Sequence, residues 1–282
     1  MTKQDAINLL TQKDQLQLLS FYDTLTPEQQ ESLLAQIEGI DWSLLDVLKT
    51  NKTVNTRGTF APLSAMELSQ IDANRAHLEE VGLQAIREGK VAAVLLAGGQ
   101  GTRLGFDKPK GMYNIGVTRE LYIFECLINN VMEIVKKAGA WIPFYIMTSD
   151  KNYDDTTAFL KEKNYFGYNA EYIHFFKQEM APSVDYNGKL LMEAPDHLSL
   201  SPNGNGGWFS SLCRYGYDKQ MKEAGVEWLT AFAVDNVLQR INDPAFVGAV
   251  IDSGCDCGVY LSPWDRHQAS YGSPYYLKLY QR

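Results

Sequence analysis

From Val91 onward, short runs of almost continuous apolar residues alternate with longer amphipathic segments. The runs lie at 91–96, 142–147, 172–176 and 228–234. Helical candidates separate and follow them, at about 120–137, 152–163, 207–224 and 243–252. Strands that lack polar alternation are buried on both faces, which happens when helices cover both sides of a largely parallel sheet. The pattern predicts an α/β fold of three layers, αβα, whose ligands bind beyond the carboxyl ends of the strands.

The first 88 residues show helical spacing instead. Leu9, Leu10 and Leu16 follow it, and Thr26-Pro27-Glu28-Gln29 supplies an N-cap, a first-turn proline and a capping-box glutamine. We therefore predict an N-terminal helical subdomain over 1–88 and an α/β domain over 89–258, with a polar connecting loop at 51–63. The apolar stripes are interpreted as a packed core, and a partner-binding surface is the alternative.

Net charge and the distribution of apolar residues limit the possible partners. The formal net charge is −8 at pH 7, whereas non-specific nucleic-acid binding needs a basic surface, so no nucleic-acid partner is expected. No run reaches about 18 uncharged apolar residues, and the first residues lack the apolar core of a signal peptide. We expect a cytoplasmic protein with no membrane partner.

The cysteines and histidines suggest no site of their own. The four cysteines include no Cys-x-x-Cys pair, so neither a disulfide framework nor a zinc site is predicted. Cys255 and Cys257 could bind a soft metal, but buried thiols near a turn are the preferred interpretation. No histidine falls in a motif that carries chemistry, and His174, inside a predicted strand, is expected to be a packed residue.

A glycine-rich segment follows the first predicted strand. It runs Leu95-Leu96-Ala97-Gly98-Gly99-Gln100-Gly101-Thr102-Arg103-Leu104-Gly105 and continues to Lys110. Glycines let the backbone approach a ligand and turn its N–H groups inward, which suits phosphate oxygens, and Lys110 adds positive charge. The dinucleotide fingerprint fails because Arg103-Leu104 occupies the place of its third glycine, which disfavours a nicotinamide-binding dehydrogenase. The P-loop pattern fails as well, because no Gly-Lys-Ser/Thr follows.

The segment resembles, residue by residue, the nucleotide-binding loop of the UDP-sugar pyrophosphorylases, Leu-x-x-Gly-Gly-x-Gly-Thr-x-Met/Leu-Gly-x-x-x-Pro-Lys. Lys110-Gly111-Met112 is similar to the eukaryotic-type N-acetylglucosamine branch of that family. Three more segments match in order: Phe175-Phe176-Lys177-Gln178 resembles Phe-x-Gln, 202–207 resembles Pro-x-Gly-Asn-Gly-Gly, and Val234-Asp235-Asn236 resembles Val-Asp-Asn.

The resemblance implies a Rossmann-like nucleotide-diphospho-sugar transferase domain with a GT-A-like mixed sheet. It also implies a monomeric UTP:sugar-1-phosphate uridylyltransferase that uses Mg²⁺ and acts most readily on N-acetylglucosamine-1-phosphate. Arg103 and Lys110 would offset phosphate charge in catalysis, and Asp235 would hold Mg²⁺. Gln178 and Gly204 would select uracil, and Asn205 would reach the sugar. The implied substrate-binding residues are Leu96, Ala97, Gly98, Gly99, Gly101, Thr102, Gln178, Gly204, Asn205 and Asp235.

The resemblance extends from about residue 55 to Gly258, whereas family members continue for well over a hundred residues more. The tail, 259–282, shows neither helical nor strand period, and we expect irregular chain there. A truncated chain is the hypothesis that follows. Three alternatives stay open: a non-catalytic uridine-nucleotide-binding remnant, and a transferase for glucose-1-phosphate or for galactose-1-phosphate.

Overall fold

A computed structural model of the chain describes residues 1–43, 45 and 65–259, and the backbone of 275–278. Its helices are α1 Lys3–Lys13, α2 Pro27–Glu38, α3 Leu68–Arg87, α4 Ile123–Ala138, α5 Tyr153–Glu162, α6 Trp208–Arg214, α7 Tyr217–Glu223 and α8 Pro244–Asp252. Its strands are β1 Val91–Leu96, β2 Phe144–Thr148, β3 Ile173–Lys177, β4 Met180–Pro182, β5 Met192–Ala194, β6 His197–Leu198, β7 Leu200–Pro202, β8 Trp228–Ala233, β9 Cys257–Val259 and β10 Tyr275–Lys278.

The chain forms two compact units. One comprises Met1–Leu63 with Met180–Asn203, and the other comprises Ser64–Glu179 with Gly204–Arg282. This grouping departs from the predicted boundary at residue 88, because α3 belongs to the larger unit and an inserted segment joins the N-terminal helices. The predicted loop at 51–63 lies outside the described residues. No helix in the described ranges combines the length and apolar character that a membrane span requires.

The larger unit is built on a mixed sheet with the strand order β3-β2-β1-β8-β10-β9. Strands β1, β2, β3 and β8 are parallel, and every residue of β1 and β2 is buried. Helices α3, α4, α5 and α8 pack on one face, around Ala93, Leu95 and Phe144. Helices α6 and α7 pack on the other, around Val94 and Tyr145. The predicted three-layer α/β fold is confirmed.

The tail contradicts its prediction over one segment. Residues 275–278 form β10, which pairs antiparallel with both β8 and β9. The strand has no polar residues at period two, because Tyr275-Tyr276-Leu277 is a continuous aromatic and apolar run. Such residues favour strands through their side-chain shape, whether or not polar residues alternate with them. Cys255 and Cys257 are exposed, so the prediction of buried thiols is wrong.

The smaller unit packs α1 and α2 together with the β5–β6 hairpin. Its core includes Leu10, Leu33 and Leu198, and the predicted capping box at Thr26 is present. Two buried or half-buried glutamines bind the backbone of the inserted segment, 180–203. Gln15 accepts a hydrogen bond from the Leu190 N–H at 2.9 Å, and Gln36 accepts one from the Leu198 N–H at 2.9 Å. These contacts join segments more than 160 residues apart, which local sequence patterns cannot show.

His174 is packed as expected, in β3. Its ring stacks on Tyr145 with the centroids 4.8 Å apart, and burial lowers the pKa of the imidazole below its ordinary value of 6.5. Below pH 6.5 the His174 imidazole is protonated more readily in the unfolded chain than in the folded chain. The free energy of unfolding therefore falls as the solution becomes more acidic. We expect His174→Phe to reduce the loss of stability between pH 7.5 and pH 5.0, measured by urea unfolding. An unchanged loss would contradict this account, and His197→Phe, at an exposed position, is the control.

Candidate functional site

Because β1, β2, β3 and β8 are parallel, their carboxyl ends share one edge of the sheet. The loop 97–110 follows β1, Ser149–Asn152 follow β2, Gln178 follows β3 and Asp235 comes just after β8. Gly204 and Asn205 precede α6 in the same unit. All of the site residues predicted from sequence therefore belong to the larger unit.

In the glycine-rich loop, two carbonyl groups accept hydrogen bonds, whereas several N–H groups have no partner. The carbonyl of Ala97 accepts a hydrogen bond from the Asn152 side chain at 3.0 Å, and that of Gly99 accepts one from the Lys110 N–H at 3.2 Å. The N–H groups of Gly98, Gly99 and Gln100 donate to none of the residues in 1–43, 45 and 65–259. Unpaired N–H groups in a loop can donate hydrogen bonds to anionic oxygens.

Asn152, which the sequence analysis missed, anchors this loop. Its side chain is completely buried, and its oxygen accepts a hydrogen bond from the Ser149 N–H at 2.7 Å. The same amide donates to the Ala97 carbonyl and, at 3.5 Å, to the Gly99 carbonyl. The only signal in the sequence is a short polar turn directly after a predicted strand, which is common in proteins that bind nothing there.

Lys110 and Asp235 form an ion pair across the ends of β1 and β8. The lysine side chain is 19% exposed and the carboxylate 49% exposed, so both groups remain reachable from solvent. Arg103 lies exposed in the short turn Thr102–Leu104 and pairs with no acidic group of the described chain. Lys110, with a partner, and Arg103, without one, thus both lie in the loop that has the free N–H groups.

Gln178 lies directly against the glycine-rich loop. A Cβ added to Gly98 would come within 2.6 Å of the Gln178 side-chain nitrogen, so any larger residue at position 98 would displace this amide. The Gln178 side chain is buried, yet its carboxamide hydrogen-bonds to no described residue. Its backbone N–H donates a hydrogen bond to the Thr148 carbonyl at 2.7 Å. The result is a positioned amide with donor and acceptor capacity left over.

The second glycine-rich loop requires glycine for a different reason. Gly204 has φ 72° and ψ −168°, a backbone conformation that is essentially restricted to glycine. The short helical turn Asn205–Gly207 then leads into α6. Asn205 is exposed, and its side chain makes no hydrogen bond within the described part of the chain. The structure therefore brings Gln178 against Gly98 and Lys110 against Asp235, while Arg103 and Asn205 stand unpaired.

A mixed α/β sheet with such a loop, lysine and carboxylate at its carboxyl edge has the nucleotide-sugar transferase fold. The model of the family described as UTP--glucose-1-phosphate uridylyltransferase matches residues 31–271. The chain belongs to this family. The match extends past Gly258 and begins before residue 55, so the limits predicted for the resemblance were too narrow.

Individual relatives agree with this assignment. The UDP-N-acetylglucosamine pyrophosphorylase of Saccharomyces cerevisiae is 34% identical over 269 residues, which cover 89% of this chain and 56% of the yeast protein. UDP-N-acetylglucosamine diphosphorylase 2 of Arabidopsis thaliana is 33% identical over 270 residues, covering 88% and 53%. The chain thus spans about half the length of these relatives.

A solved structure supports the fold over nearly the whole chain. The uridine diphosphate N-acetylglucosamine pyrophosphorylase of Trypanosoma brucei, solved in complex with an inhibitor, superposes with a TM-score of 0.78 at 25% identity. The superposition covers 99% of this chain and 67% of the trypanosome protein. The predicted nucleotide-sugar transferase fold is therefore confirmed.

Proposed function

We propose that this protein is a nucleotidyltransferase that moves UMP from UTP to a hexose-1-phosphate, N-acetylglucosamine-1-phosphate in the first place. A phosphate oxygen of the sugar-1-phosphate attacks the α-phosphorus of UTP, the bond to the bridging oxygen of the β-phosphate breaks, and pyrophosphate leaves. The observation that carries the proposal is the row of free N–H groups at Gly98, Gly99 and Gln100 beside Lys110. The names of the relatives support the choice of sugar.

No protein nucleophile is needed for this reaction, because positioning and charge neutralisation supply the catalysis. The backbone of 96–102 would bind the triphosphate. Lys110 and Arg103 would offset the charge that develops on the departing pyrophosphate. Lys110 exchanges its partner Asp235 for phosphate oxygens in doing so.

The residues present fit a magnesium ion. Mg²⁺ prefers oxygen ligands, is held by one or two carboxylates and completes its coordination with waters and substrate phosphates. Asp235 offers one half-exposed carboxylate, and the described ranges contain no cluster of three or more metal-binding side chains. We propose that Asp235 holds Mg²⁺, which when bound supplies positive charge beside the phosphates.

Gln178, Gly204 and Asn205 are the residues proposed to bind the base and the sugar. The free carboxamide of Gln178 can donate to and accept from the edge of uracil, and Gly204 would lie against the base. Asn205, exposed and unpaired, would reach the sugar. Glucose-1-phosphate and galactose-1-phosphate are the alternative acceptors. A cytoplasmic monomer is the proposed setting, which size-exclusion chromatography and imaging of a tagged chain would test.

The first experiment measures pyrophosphate release by the purified chain with UTP and Mg²⁺. N-acetylglucosamine-1-phosphate, glucose-1-phosphate and galactose-1-phosphate are supplied in turn. We expect release with N-acetylglucosamine-1-phosphate at the highest kcat/KM. UTP binding without release for any sugar would overturn the transferase proposal and leave a nucleotide-binding protein. Failure to bind UTP at all would overturn the assignment of the site.

Asn152→Ala is expected to weaken UTP binding roughly 30-fold, because the loop carbonyls lose two hydrogen bonds whose net contribution is about 1 kcal/mol each. Isothermal titration calorimetry with UTP and Mg²⁺ measures the change. Asn74→Ala, at an exposed position inside α3, is the control and should bind UTP within about twofold of the wild type. Equal affinities of Asn152→Ala and the wild type would show that the loop keeps its shape without this amide.

A further inference from the structure

Ser211 connects the two chain segments that contain the proposed uracil-binding residues. Its side chain is 1% exposed, in the first turn of α6. Its hydroxyl oxygen accepts a hydrogen bond from the Glu179 N–H at 3.0 Å and donates one to the Gly207 carbonyl at 2.8 Å. Glu179 is the residue after Gln178, and Gly207 ends the loop that begins at Gly204. One buried hydroxyl thus bridges both walls of the proposed base site.

These two segments are where the chain leaves and re-enters the larger unit. The inserted segment, 180–203, separates them in sequence. The backbone therefore gives no short covalent link between Gln178 and Gly204, and their spacing depends on contacts within the larger unit. Ser211 provides a buried contact of this kind. Ser210 and Arg214 also contact the Glu179 carboxylate, but both are exposed, so these contacts are worth less.

We infer that Ser211 is a positioning residue that sets the selectivity of the site for uracil, an inference that rests on the proposed function. Reading a base edge requires the Gln178 carboxamide and the Gly204 backbone to hold a fixed separation. Loss of the hydroxyl leaves the partly buried Glu179 N–H without its partner, and the strand end or the loop must move to find one. A shifted amide discriminates uracil from cytosine less well, because the two bases differ in their hydrogen-bonding pattern.

The test compares the affinities of the full chain for UTP and for CTP, with Mg²⁺, in the wild type and in Ser211→Ala. We expect the ratio of the two dissociation constants to shrink roughly tenfold in the variant, mostly through weaker UTP binding. Ser210→Ala is the matched control: its hydroxyl also donates to the Gly207 carbonyl, at 2.9 Å, but it is exposed. Its ratio should stay within about twofold of the wild type.

The readout separates positioning from general loss of structure. A variant that is merely partly unfolded binds UTP and CTP less well by the same factor, so an unchanged ratio in Ser211→Ala overturns the inference. If that variant is unfolded at the assay temperature, Ser211→Cys takes its place, since a thiol fills a similar volume with weaker hydrogen bonds. A wild-type ratio in Ser211→Cys would then overturn it. A wild-type chain that binds UTP and CTP equally would instead overturn the proposed base selection itself.

Discussion

Lys110→Ala is expected to weaken UTP binding roughly 10- to 150-fold, with little change in the stability of the fold. A charge-assisted hydrogen bond contributes about 1.5–3 kcal/mol, which corresponds to that range of affinity. Removing the lysine also leaves the Asp235 carboxylate beside the triphosphate without its partner. The ion pair is partly exposed, and such pairs contribute at most about 1 kcal/mol to folding. Calorimetry with UTP and thermal unfolding of the same sample measure the two effects.

Lys108→Ala is the matched control, because Lys108 lies in the same loop but is exposed and pairs with no described acidic group. It should bind UTP within about threefold of the wild type. Asp235→Asn gives the complementary test. Without Mg²⁺ it should bind UTP more tightly than the wild type, because a negative charge beside the phosphates is gone. With Mg²⁺ it should bind UTP more weakly. An Asp235→Asn variant that kept the full effect of Mg²⁺ would exclude Asp235 as the ligand.

The layers of the fold were predictable from sequence because they depend on local periodicity. The apolar runs 91–96 and 228–234 matched β1 and β8, since burial on both faces leaves a continuous apolar signal. The inserted hairpin and strand β10 were not predicted. The hairpin joins α2 through contacts such as that of Gln36 with Leu198, which lie 162 residues apart in the sequence. No window of local sequence contains both partners.

The candidate site shows the same division. Motif resemblance located Lys110, Gln178 and Asp235, and the structure places them at one edge of the sheet; their roles stay predictions. Asn152 and Ser211 were not predicted, because the role of a buried polar side chain depends on the backbone groups to which it hydrogen-bonds. Those groups, at Ala97 and Glu179, lie far along the chain from the side chains that bind them. A lone Asn or Ser in a sequence is more often a turn or cap residue.

Gly248→Ala is expected to destabilise the larger unit by about 3 kcal/mol or more. Losses of this size occur when an added methyl group overlaps backbone atoms that cannot shift. Gly248 lies in α8, and a Cβ there would overlap the backbone carbonyl of Leu78 in α3. The contact is reciprocal, since a Cβ on Gly82 of α3 would come within 2.7 Å of the Pro244 carbonyl carbon in α8. The two helix backbones therefore touch, and neither flexible side chains nor rotamer changes can relieve the overlap.

Urea unfolding followed by circular dichroism measures this loss, with Ala76→Leu as the control. Ala76 lies in α3 but is exposed, so a larger side chain there extends into solvent and should change stability by no more than about 0.5 kcal/mol. The helices pack on the face of the sheet that contains Leu95, two residues before the loop that begins at Ala97. We expect Gly248→Ala to weaken UTP binding only in proportion to the fraction of the protein that is unfolded. A Gly248→Ala protein with wild-type stability would show that the two helices do not approach this closely.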